Sequence, residues 1–364
     1  MNMMQESIHV YVPATTANLG SGFDAVGLAL DFHDTLSFTL GELGSDAVDV
    51  DIEGEGANTL PRDASHLVVK SFREAASDLG LPLRQLHLQA RNRIPQARGM
   101  GSSAEAIVAG ISAAYAFAHD GKIDRDYVFA AAAAVEGHPD NVAPAVYGGL
   151  TFSWKLDADA DADADCGHKA VEVDADSESF SGKSSSNESH SGAVPSSGYH
   201  TVRYPVSTDI CAYVFVPDFA LSTQDARNAL PSQVPYHDAV ANVSRVGLLP
   251  AALCPAFYGD SQGQTAIQGS GLNRNQLLFC ATQDALHQQY RSALMPESAQ
   301  LLRILRSKGL AATISGAGPC VLVLHSTDIE DELRSLSSSQ LESGHWRLLP
   351  LAIDLAGVQV EQSL

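Results

Sequence analysis

The sequence predicts an α+β fold built from two domains, and three observations lead to this expectation. The chain has 364 residues, which is enough for two domains of about 150 residues each. It opens with segments of β-strand character, and its second half alternates strand-like and helix-like segments as a layered α/β structure does. Between the halves lies an acidic, serine-rich segment whose composition differs sharply from its surroundings.

Strands dominate the opening of the chain. Residues 8–12 form a short run rich in β-branched side chains, and residues 28–40 alternate apolar and polar residues like a half-buried strand. Residues 48–52 and residues 86–94 have the same character. We therefore expect sheet at the start of the first domain.

Three helices are expected in the same half. Residues 64–79 carry apolar side chains at helical spacing and stop at Gly80. Residues 103–119 read as a long apolar helix, and residues 126–136 as an alanine-rich helix that ends in Gly-His-Pro.

The segment 157–199 is predicted to be a disordered insertion between domains 1–156 and 200–364. It begins with alternating Asp and Ala and continues as a Ser-rich tract with almost no large apolar residue. Residues 157–188 hold ten acidic residues and two lysines, so they contribute −8 to the net charge of −21. Such a composition cannot bury enough surface to offset its ordering entropy.

The second half shows strand patterning at both ends and helices between them. The expected strands are 204–216, 311–314 and 321–325, and the expected helices are 240–253, 272–289 and 300–308.

Charge and cysteine content narrow the function classes. The chain has 22 Lys and Arg against 43 Asp and Glu, a balance that repels nucleic acids and anionic membranes. The five cysteines contain no C-x-x-C pair and read as reduced thiols. No apolar leader stands at the start, so we expect a cytoplasmic protein. The oligomeric state stays open, with a homodimer as the candidate.

The most informative segment is a glycine loop at residues 94–106, placed between a predicted strand and a predicted long helix. Gly99 and Gly101 allow the backbone to approach a ligand closely, and the amides that follow form the unsatisfied N-terminus of the helix. This arrangement favours a phosphate cradle assisted by Arg98. Ser102 and Ser103 add hydroxyls for a phosphate oxygen or a magnesium ion. The alternative reading is an ordinary glycine turn with a serine N-cap.

Two other glycine patterns carry less weight. Residues 182–184 imitate the end of a Walker A loop, but Ser177 stands where the first glycine is required. Residues 20–25 fit the dinucleotide pattern G-x-G-x-x-[GA], which requires a helix immediately afterwards. A strand is expected there instead, so a ligand loop and a plain connecting loop both remain open.

Four segments together resemble the GHMP small-molecule kinases, a family of ATP-dependent enzymes that includes homoserine, mevalonate and galactose kinases. They are residues 13–24 (PATTANLGSGFD), 95–104, 136–145 (EGHPDNVAPA) and 314–319 (ISGAGP). The first and third are most similar to the members that phosphorylate homoserine. The resemblance implies an N-terminal α/β nucleotide-binding domain and a C-terminal ferredoxin-like domain with the active site between them. It also implies phosphorylation of the side-chain hydroxyl of L-homoserine by ATP, a step of threonine synthesis.

The resemblance assigns a nucleotide site and a metal site. The residues expected to surround the ATP phosphates are Pro95, Gln96, Ala97, Arg98, Gly99, Met100, Gly101, Ser102, Ser103, Ala104 and Glu105. Ser102 and Glu136 are the expected Mg²⁺ contacts. Without the resemblance, Glu136 would be a solvated acid at a helix end, where the helix dipole disfavours an anion.

The resemblance also assigns the substrate pocket. Asn18 and Asp24 are expected to hold the amino and hydroxyl groups of the substrate, and His138 and Asn141 to line the same pocket. The implied catalytic residues are Asn141, Asp24 and His138, which would position the hydroxyl without a strong base. Two arginines and a glycine complete the expected substrate site, namely Arg227, Arg291 and Gly316. The open alternatives are a GHMP kinase for another alcohol and a nonenzymatic nucleotide-binding regulator.

Overall fold

Two β-sheets with helices packed against them make up the computed structural model, which describes residues 7–157, 197–255 and 271–363. The first sheet has seven strands. They are β1 (Ser7–Ala17), β2 (Val26–Leu43), β3 (Val48–Gly54), β4 (Arg84–Asn92), β5 (Leu150–Leu156), β6 (Gly198–Tyr204) and β11 (Gln359–Ser363). Its order is β11-β1-β2-β4-β3, with β5 paired to β2 and β6 paired to β5.

The second sheet has four strands, which are β7 (Cys211–Pro217), β8 (Ala311–Ile314), β9 (Val321–His325) and β10 (Trp346–Leu351). Their order in the sheet is β10-β7-β9-β8, and neighbouring strands are antiparallel. Strands β8 and β9 are wholly apolar apart from Thr313 and His325, as expected for strands covered on both faces.

Helices of the first half lie against the first sheet. They are α1 (Leu67–Asp78), α2 (Ser102–Ala118), α3 (Arg125–Glu136) and α4 (Val142–Tyr147). Helix α2 is apolar almost all round, so it is buried on most of its surface. A Cβ on Gly110 would lie 2.5 Å from the carbonyl oxygen of Val68, and this glycine therefore permits the close packing of α2 on α1.

The helices of the second half are shorter. They are α5 (Thr223–Asn228), α6 (Tyr236–Val246), α7 (Leu248–Leu253), α8 (Arg274–Ala281), α9 (Gln288–Arg291), α10 (Pro296–Ser307), α11 (Glu330–Leu336) and α12 (Ser338–Glu342). A 3₁₀ turn at Ser292–Leu294 joins α9 to α10.

One buried apolar cluster contains side chains from both halves of the chain. Leu28 and Met100 of the first half share it with Val214 and Leu278 of the second half, and all four are fully buried. Burial of apolar surface is the main stabilising contribution in such a core. The two halves are thus held against each other, and the cleft between them has a defined shape.

Most of the predicted elements are confirmed, but three predicted segments are divided. The segment 240–253 is two helices, α6 and α7. The segment 272–289 is two helices, because residues 282–287 form a loop in which the Asp284 carboxylate accepts backbone N–H groups. The segment 204–216 is the end of β6 and, after a break, β7. Elements that the sequence patterning did not predict are α4, α5, α11, α12, β5, β10 and β11.

The sheets do not follow the predicted domain boundary. Strands β6 and β11 belong to the first sheet although both come after residue 197. The chain thus crosses between the two sheets more than once. The division into domains 1–156 and 200–364 stays a prediction. Most of the predicted insertion, residues 158–196, lies outside the described residues. Within the described ranges, no helix combines the length and apolar character needed to cross a membrane.

Candidate active site

A cleft of about 380 Å³ lies between the two halves, and side chains of both halves line it. The cleft brings together nearly all residues that the motifs predicted, although they stand up to 298 positions apart in the chain. The predicted residues that line it are Asn18, Asp24, Gln96, Ala97, Gly99, Gly101, Ser102, Ser103, Glu105, Glu136, His138, Asn141, Arg227, Arg291 and Gly316.

The glycine loop has a backbone geometry that requires glycine at two positions. Gly99 and Gly101 have φ of +78° and +76°, values that an L side chain rarely adopts. A Cβ on Gly99 would also lie 2.1 Å from the carbonyl oxygen of Ser315. Gly101 is the N-cap of α2 and offers no side-chain cap to the first-turn amides. The positive end of this 17-residue helix therefore opens into the cleft.

Four of the predicted phosphate-loop residues do not line the cleft: Pro95, Arg98, Met100 and Ala104. Arg98 is the informative correction. Its guanidinium donates hydrogen bonds to the carbonyl oxygens of Pro217, Gln96 and Asp218 at 2.7–2.8 Å. The side chain thus fastens the loop to the end of β7 and does not point its charge at the cleft.

Glu105 lines the cleft but differs from a usual anionic ligand. It is 3% exposed, and burial together with the nearby charge of Asp34 raises its pKa well above the ordinary value. Burial also raises the pKa of Asp34 to about 6, although Asp34 accepts hydrogen bonds from two backbone N–H groups. Asp34 and Glu105 are therefore two buried carboxyl groups close enough that ionisation of one disfavours ionisation of the other.

Glu136, at the end of α3, lies beside the start of α2. Ser103 Oγ donates a 2.8 Å hydrogen bond to Glu136 Oε2. Burial raises the pKa of Glu136, and the Ser103 hydrogen bond opposes that shift. Ser102 lines the same part of the cleft. Carboxylate and hydroxyl oxygens are the donors that Mg²⁺ prefers, so this donor set fits the ion.

His138 joins two carboxylates. Its Nδ1 lies 3.3 Å from Asp140 Oδ1, and its Nε2 lies 4.0 Å from Glu136 Oε1. The nearby Asp140 carboxylate is the main cause that raises the pKa of His138. Asp140 itself is 3% exposed and lines the cleft, and sequence reasoning missed it although it stands inside the EGHPDN segment.

Asn141 is oriented by a second residue that the sequence did not single out. Its Oδ1 accepts a 2.8 Å hydrogen bond from Thr15 Oγ1. Thr15 in turn lies where a Cβ on Gly101 would collide, at 1.9 Å. The amide of Asn141 carries no group that could act as a base, so its chemistry here is hydrogen bonding.

Asp24 and Arg227 face each other across the cleft. Arg227 donates two hydrogen bonds, from Nη1 to Asp24 Oδ2 at 3.0 Å and from Nη2 to Asp24 Oδ1 at 3.1 Å. Asn18 holds the loop that carries Asp24, because its Oδ1 accepts the Asp24 N–H and its Nδ2 donates to the Gly316 carbonyl oxygen. Both Asn18 and Asp24 have positive φ, at 73° and 56°, as the tight loop requires.

Arg291 is the second cation at this end of the cleft and is 2% exposed. Its Nε donates to the Ala226 carbonyl oxygen at 3.1 Å, and its Nη1 donates to His287 Nδ1 at 3.1 Å and contacts the Gly316 carbonyl oxygen at 3.4 Å. Burial lowers its pKa. Gly316 thus connects Asn18 of the first half with Arg291 of the second.

His66 is a cleft residue that no sequence signal indicated. It is 4% exposed, and within the described residues neither of its ring nitrogens has a hydrogen-bond partner. Leu60, Leu67 and Asn92 line the same region. This part of the cleft combines apolar walls with unpaired polar atoms, as small-molecule sites commonly do.

Comparison with known proteins agrees with this geometry. Residues 66–149 match the family model for the GHMP kinases N terminal domain, and residues 264–340 match that for the GHMP kinases C terminal region. The fold and the cleft define a small-molecule kinase of the GHMP class, and enzymes of this class use ATP.

Relatives of known function narrow the class. The homoserine kinase of Streptomyces coelicolor is 38% identical over 97% of this chain and 94% of its own length. That of Cutibacterium acnes is 41% identical over 89% of this chain and 91% of its own length. The chain belongs to the homoserine kinase family. The crystal structure of homoserine kinase from Cytophaga hutchinsonii has the same fold, with a TM-score of 0.69 at 24% identity and 99% coverage of both chains.

Proposed function

We propose that the cleft transfers the terminal phosphoryl group of ATP to the side-chain hydroxyl of L-homoserine, giving O-phospho-L-homoserine for threonine biosynthesis. The observation that carries this proposal is the bidentate pair of Asp24 with Arg227, in a cleft that Arg291 and the open N-terminus of α2 also line. An amino acid presents one cationic and one anionic group at its α-carbon. At this end the pocket offers the Asp24 carboxylate for the cationic group and the guanidinium groups of Arg227 and Arg291 for the anionic one.

The polyphosphate of ATP would lie along the first turn of α2. The amides of Gly101, Ser102 and Ser103 point their positive dipoles there, so an acidic protein can hold a polyanion at this place. Ser102 and Glu136 would hold Mg²⁺. When bound, this ion supplies charge neutralisation between the phosphoryl oxygens in the transition state.

The amino acid would bind by separating the pair between Asp24 and Arg227. Asp24, supported by Asn18, would receive the ammonium group, and the two guanidinium groups would receive the carboxylate. Arginine suits this role because its planar fork matches a carboxylate in two hydrogen bonds. Gly316 would close this end of the pocket, since its carbonyl oxygen already accepts from Asn18 and contacts Arg291.

The hydroxyl of the substrate would lie near Asn141 and His138. Asn141 accepts from Thr15 at its Oδ1, and its Nδ2 donates to Asp140 Oδ1 at 3.4 Å. The second N–H of this amide is left to orient an oxygen atom. His138 is paired with the buried Asp140. A loose phosphoryl-transfer transition state needs little basic assistance, so these residues would act chiefly by positioning the hydroxyl in line with the phosphorus atom.

Release of ADP in a coupled assay tests the proposal. We expect ADP release with Mg²⁺-ATP to depend on L-homoserine and to yield a phosphomonoester on its side-chain oxygen. Equal ADP release without an amino acid, or none with it, would contradict the proposal. Turnover of another small alcohol in place of homoserine would assign a different member of the GHMP class.

A further inference from the structure

His287 lies behind the substrate pocket and contacts Arg291. It stands in the loop between α8 and α9 and has no exposed surface. Its Nδ1 lies 3.1 Å from Arg291 Nη1, and its Nε2 lies 3.0 Å from the carbonyl oxygen of Gly20. Since His287 is not among the residues that line the cleft, its influence on a ligand would pass through its neighbours.

The two partners determine the protonation of the ring. A guanidinium can only donate hydrogen bonds, so Nδ1 must be the bare, accepting nitrogen. A carbonyl oxygen can only accept, so Nε2 must carry the proton. The ring is thus the neutral Nε2–H tautomer. The charged groups that face it are Asp284, with Oδ2 3.6 Å from Nε2, together with Arg291 and the more distant Asp24.

Asp284 fixes the loop on which His287 stands. Its Oδ2 accepts the backbone N–H groups of His287 and Gln288 at 3.0 and 2.8 Å. Its Oδ1 accepts from the side chain of Asn242 at 2.9 Å. Because these hydrogen bonds occupy the carboxylate, the imidazole keeps its position between Gly20 and Arg291.

The contacts of Arg291 leave one nitrogen for a ligand. Nε and Nη1 are used by the Ala226 carbonyl oxygen, His287 Nδ1 and the Gly316 carbonyl oxygen. Among the described residues, none accepts a hydrogen bond from Nη2, and Arg291 lines the cleft. The ring of Phe23 stacks on His287 at 5.0 Å and lies 5.3 Å from the guanidinium carbon of Arg291, so both groups are covered on the side of the Asp24 loop.

We propose that His287 is a positioning residue for the substrate carboxylate. Its bare Nδ1 sets the rotation of the Arg291 guanidinium so that Nη2 faces the pocket, and its Nε2–H ties that guanidinium to the loop of Asn18 and Asp24 through Gly20. The proposal rests on the proposed function, because it requires Arg291 to bind the carboxylate of the amino acid.

Two substitutions separate the two hydrogen bonds of the ring. In His287→Asn the side-chain oxygen can occupy the place of Nδ1 and accept from Arg291, while the contact with Gly20 is lost. In His287→Gln the side-chain amide can reach the place of Nε2 and donate to Gly20, while the acceptor for Arg291 is lost. We expect the KM for homoserine to stay within about twofold in His287→Asn and to rise about tenfold in His287→Gln. The KM for ATP should change little in either variant.

A role confined to supporting the Gly20 loop predicts the opposite order, with His287→Asn the worse variant. That order, or equal effects of the two substitutions, would overturn the proposal. In an Arg291→Ala background, His287→Gln should add no further loss in kcat/KM for homoserine, whereas a general structural defect would add to the loss.

The wild-type protein offers a test that does not depend on the folding of a variant. Nitrogen and carbon NMR shifts of the His287 ring should report the neutral Nε2–H tautomer throughout pH 7–8, since its two hydrogen-bond partners require this tautomer and burial lowers the pKa of this histidine. A cationic ring or the Nδ1–H tautomer would overturn the proposal. An unchanged KM for homoserine in Arg291→Ala would also overturn the proposal for His287. The proposed function fails separately, if ADP release does not depend on homoserine.

Discussion

The guanidinium of Arg227 and the carboxylate of Asp24 form a bidentate ion pair, with N–O distances of 3.0 and 3.1 Å, across the cleft between the two halves of the chain. Their side chains are 32% and 39% exposed, so water and small solutes can reach both. In the absence of an amino acid each charge thus has a partner. A zwitterion can replace this pair with two new ones at little net cost in unpaired charge.

Asp24→Asn is the most direct perturbation of this pair. Removing the carboxylate eliminates the partner of the substrate ammonium and leaves Arg227 without its own partner. We expect kcat/KM for homoserine to fall by about 10- to 100-fold, or roughly 1.4–3 kcal/mol. The dissociation constant for ATP, measured by calorimetry, should change little. Asp31→Asn, at an exposed carboxylate outside the cleft, is the matched control, and an equal loss in that variant would contradict the assignment.

Glu136→Gln should reduce turnover without unfolding the protein. Losing one charge-stabilising contact in a phosphoryl-transfer site costs on the order of 3 kcal/mol of transition-state energy, or about a hundredfold in rate. Turnover should be measured over a magnesium titration, with thermal unfolding as the check on folding. Ser102→Ala tests the second expected ligand. Ser103→Ala removes the hydroxyl that the structure places 2.8 Å from Glu136. Near-normal activity of Glu136→Gln throughout the titration would remove it from the metal site.

Asp34 should make stability depend on pH. Burial raises its pKa from the usual 3.8 to about 6 in the folded protein. Between these values the folded protein retains a proton that the unfolded chain has released. The free energy of unfolding therefore falls as the pH rises through this window.

Urea unfolding of the wild type and Asp34→Asn at pH 5 and 7.5 measures this effect. The variant retains an oxygen that can accept the N–H groups of Arg93 and Ile94, but it does not titrate. The wild type should lose stability relative to the variant between pH 5 and 7.5. A difference that stays constant, or that changes in the opposite direction, would show that Asp34 ionises normally.

Residues 158–196 should be dispensable for catalysis. Strands β5 and β6 form an antiparallel pair in which Leu156 lies opposite Gly198, so a short Gly/Ser linker can join Asp157 to Ser197. We expect the shortened chain to fold and to keep kcat/KM for homoserine within a few-fold of the full-length value. A folded but inactive product would show that the removed residues contribute to the site.

The sequence could predict residues that share one cleft because most of them stand in compact motifs of recognisable local chemistry. The glycine loop predicted the start of α2 next to Gly99 and Gly101. The direction of Arg98 could not be predicted, because the carbonyl groups that capture it, at residues 217 and 218, are about 120 positions away.

Long-range contacts also explain the remaining differences between the elements and site residues predicted from the sequence and those in the structure. The break between α8 and α9 follows from Asp284, whose side chain accepts backbone N–H groups inside a segment of helical periodicity. His66 and Thr15 became visible as site residues when the fold placed them on the cleft or beside the glycine loop. Strands β6 and β11 join the first sheet through pairings with distant segments, which local patterning does not report.

The charges of the pocket predict which alcohols are substrates of the enzyme. A site with buried or half-buried charges rejects an analogue that leaves one of them unpaired. 3-Amino-1-propanol lacks the carboxylate of homoserine, and 4-hydroxybutanoate lacks the ammonium group, while both retain the hydroxyl. Arg291→Lys should also impair homoserine turnover, because a point charge cannot replace the planar fork.

The ratio of kcat/KM for L-homoserine to that for each of these two analogues is the measurement that tests the account most directly. We expect homoserine to be preferred by about 30- to 1,000-fold over either one, from roughly 2–4 kcal/mol for each missing charge. The double substitution Arg227→Ala with Arg291→Ala should remove most of the preference over 3-amino-1-propanol. Two results would contradict the account: the wild-type enzyme phosphorylates 3-amino-1-propanol as well as homoserine, or the double variant keeps the wild-type preference. Arg227 and Arg291 would then not bind a substrate carboxylate, and the pocket would serve a different alcohol.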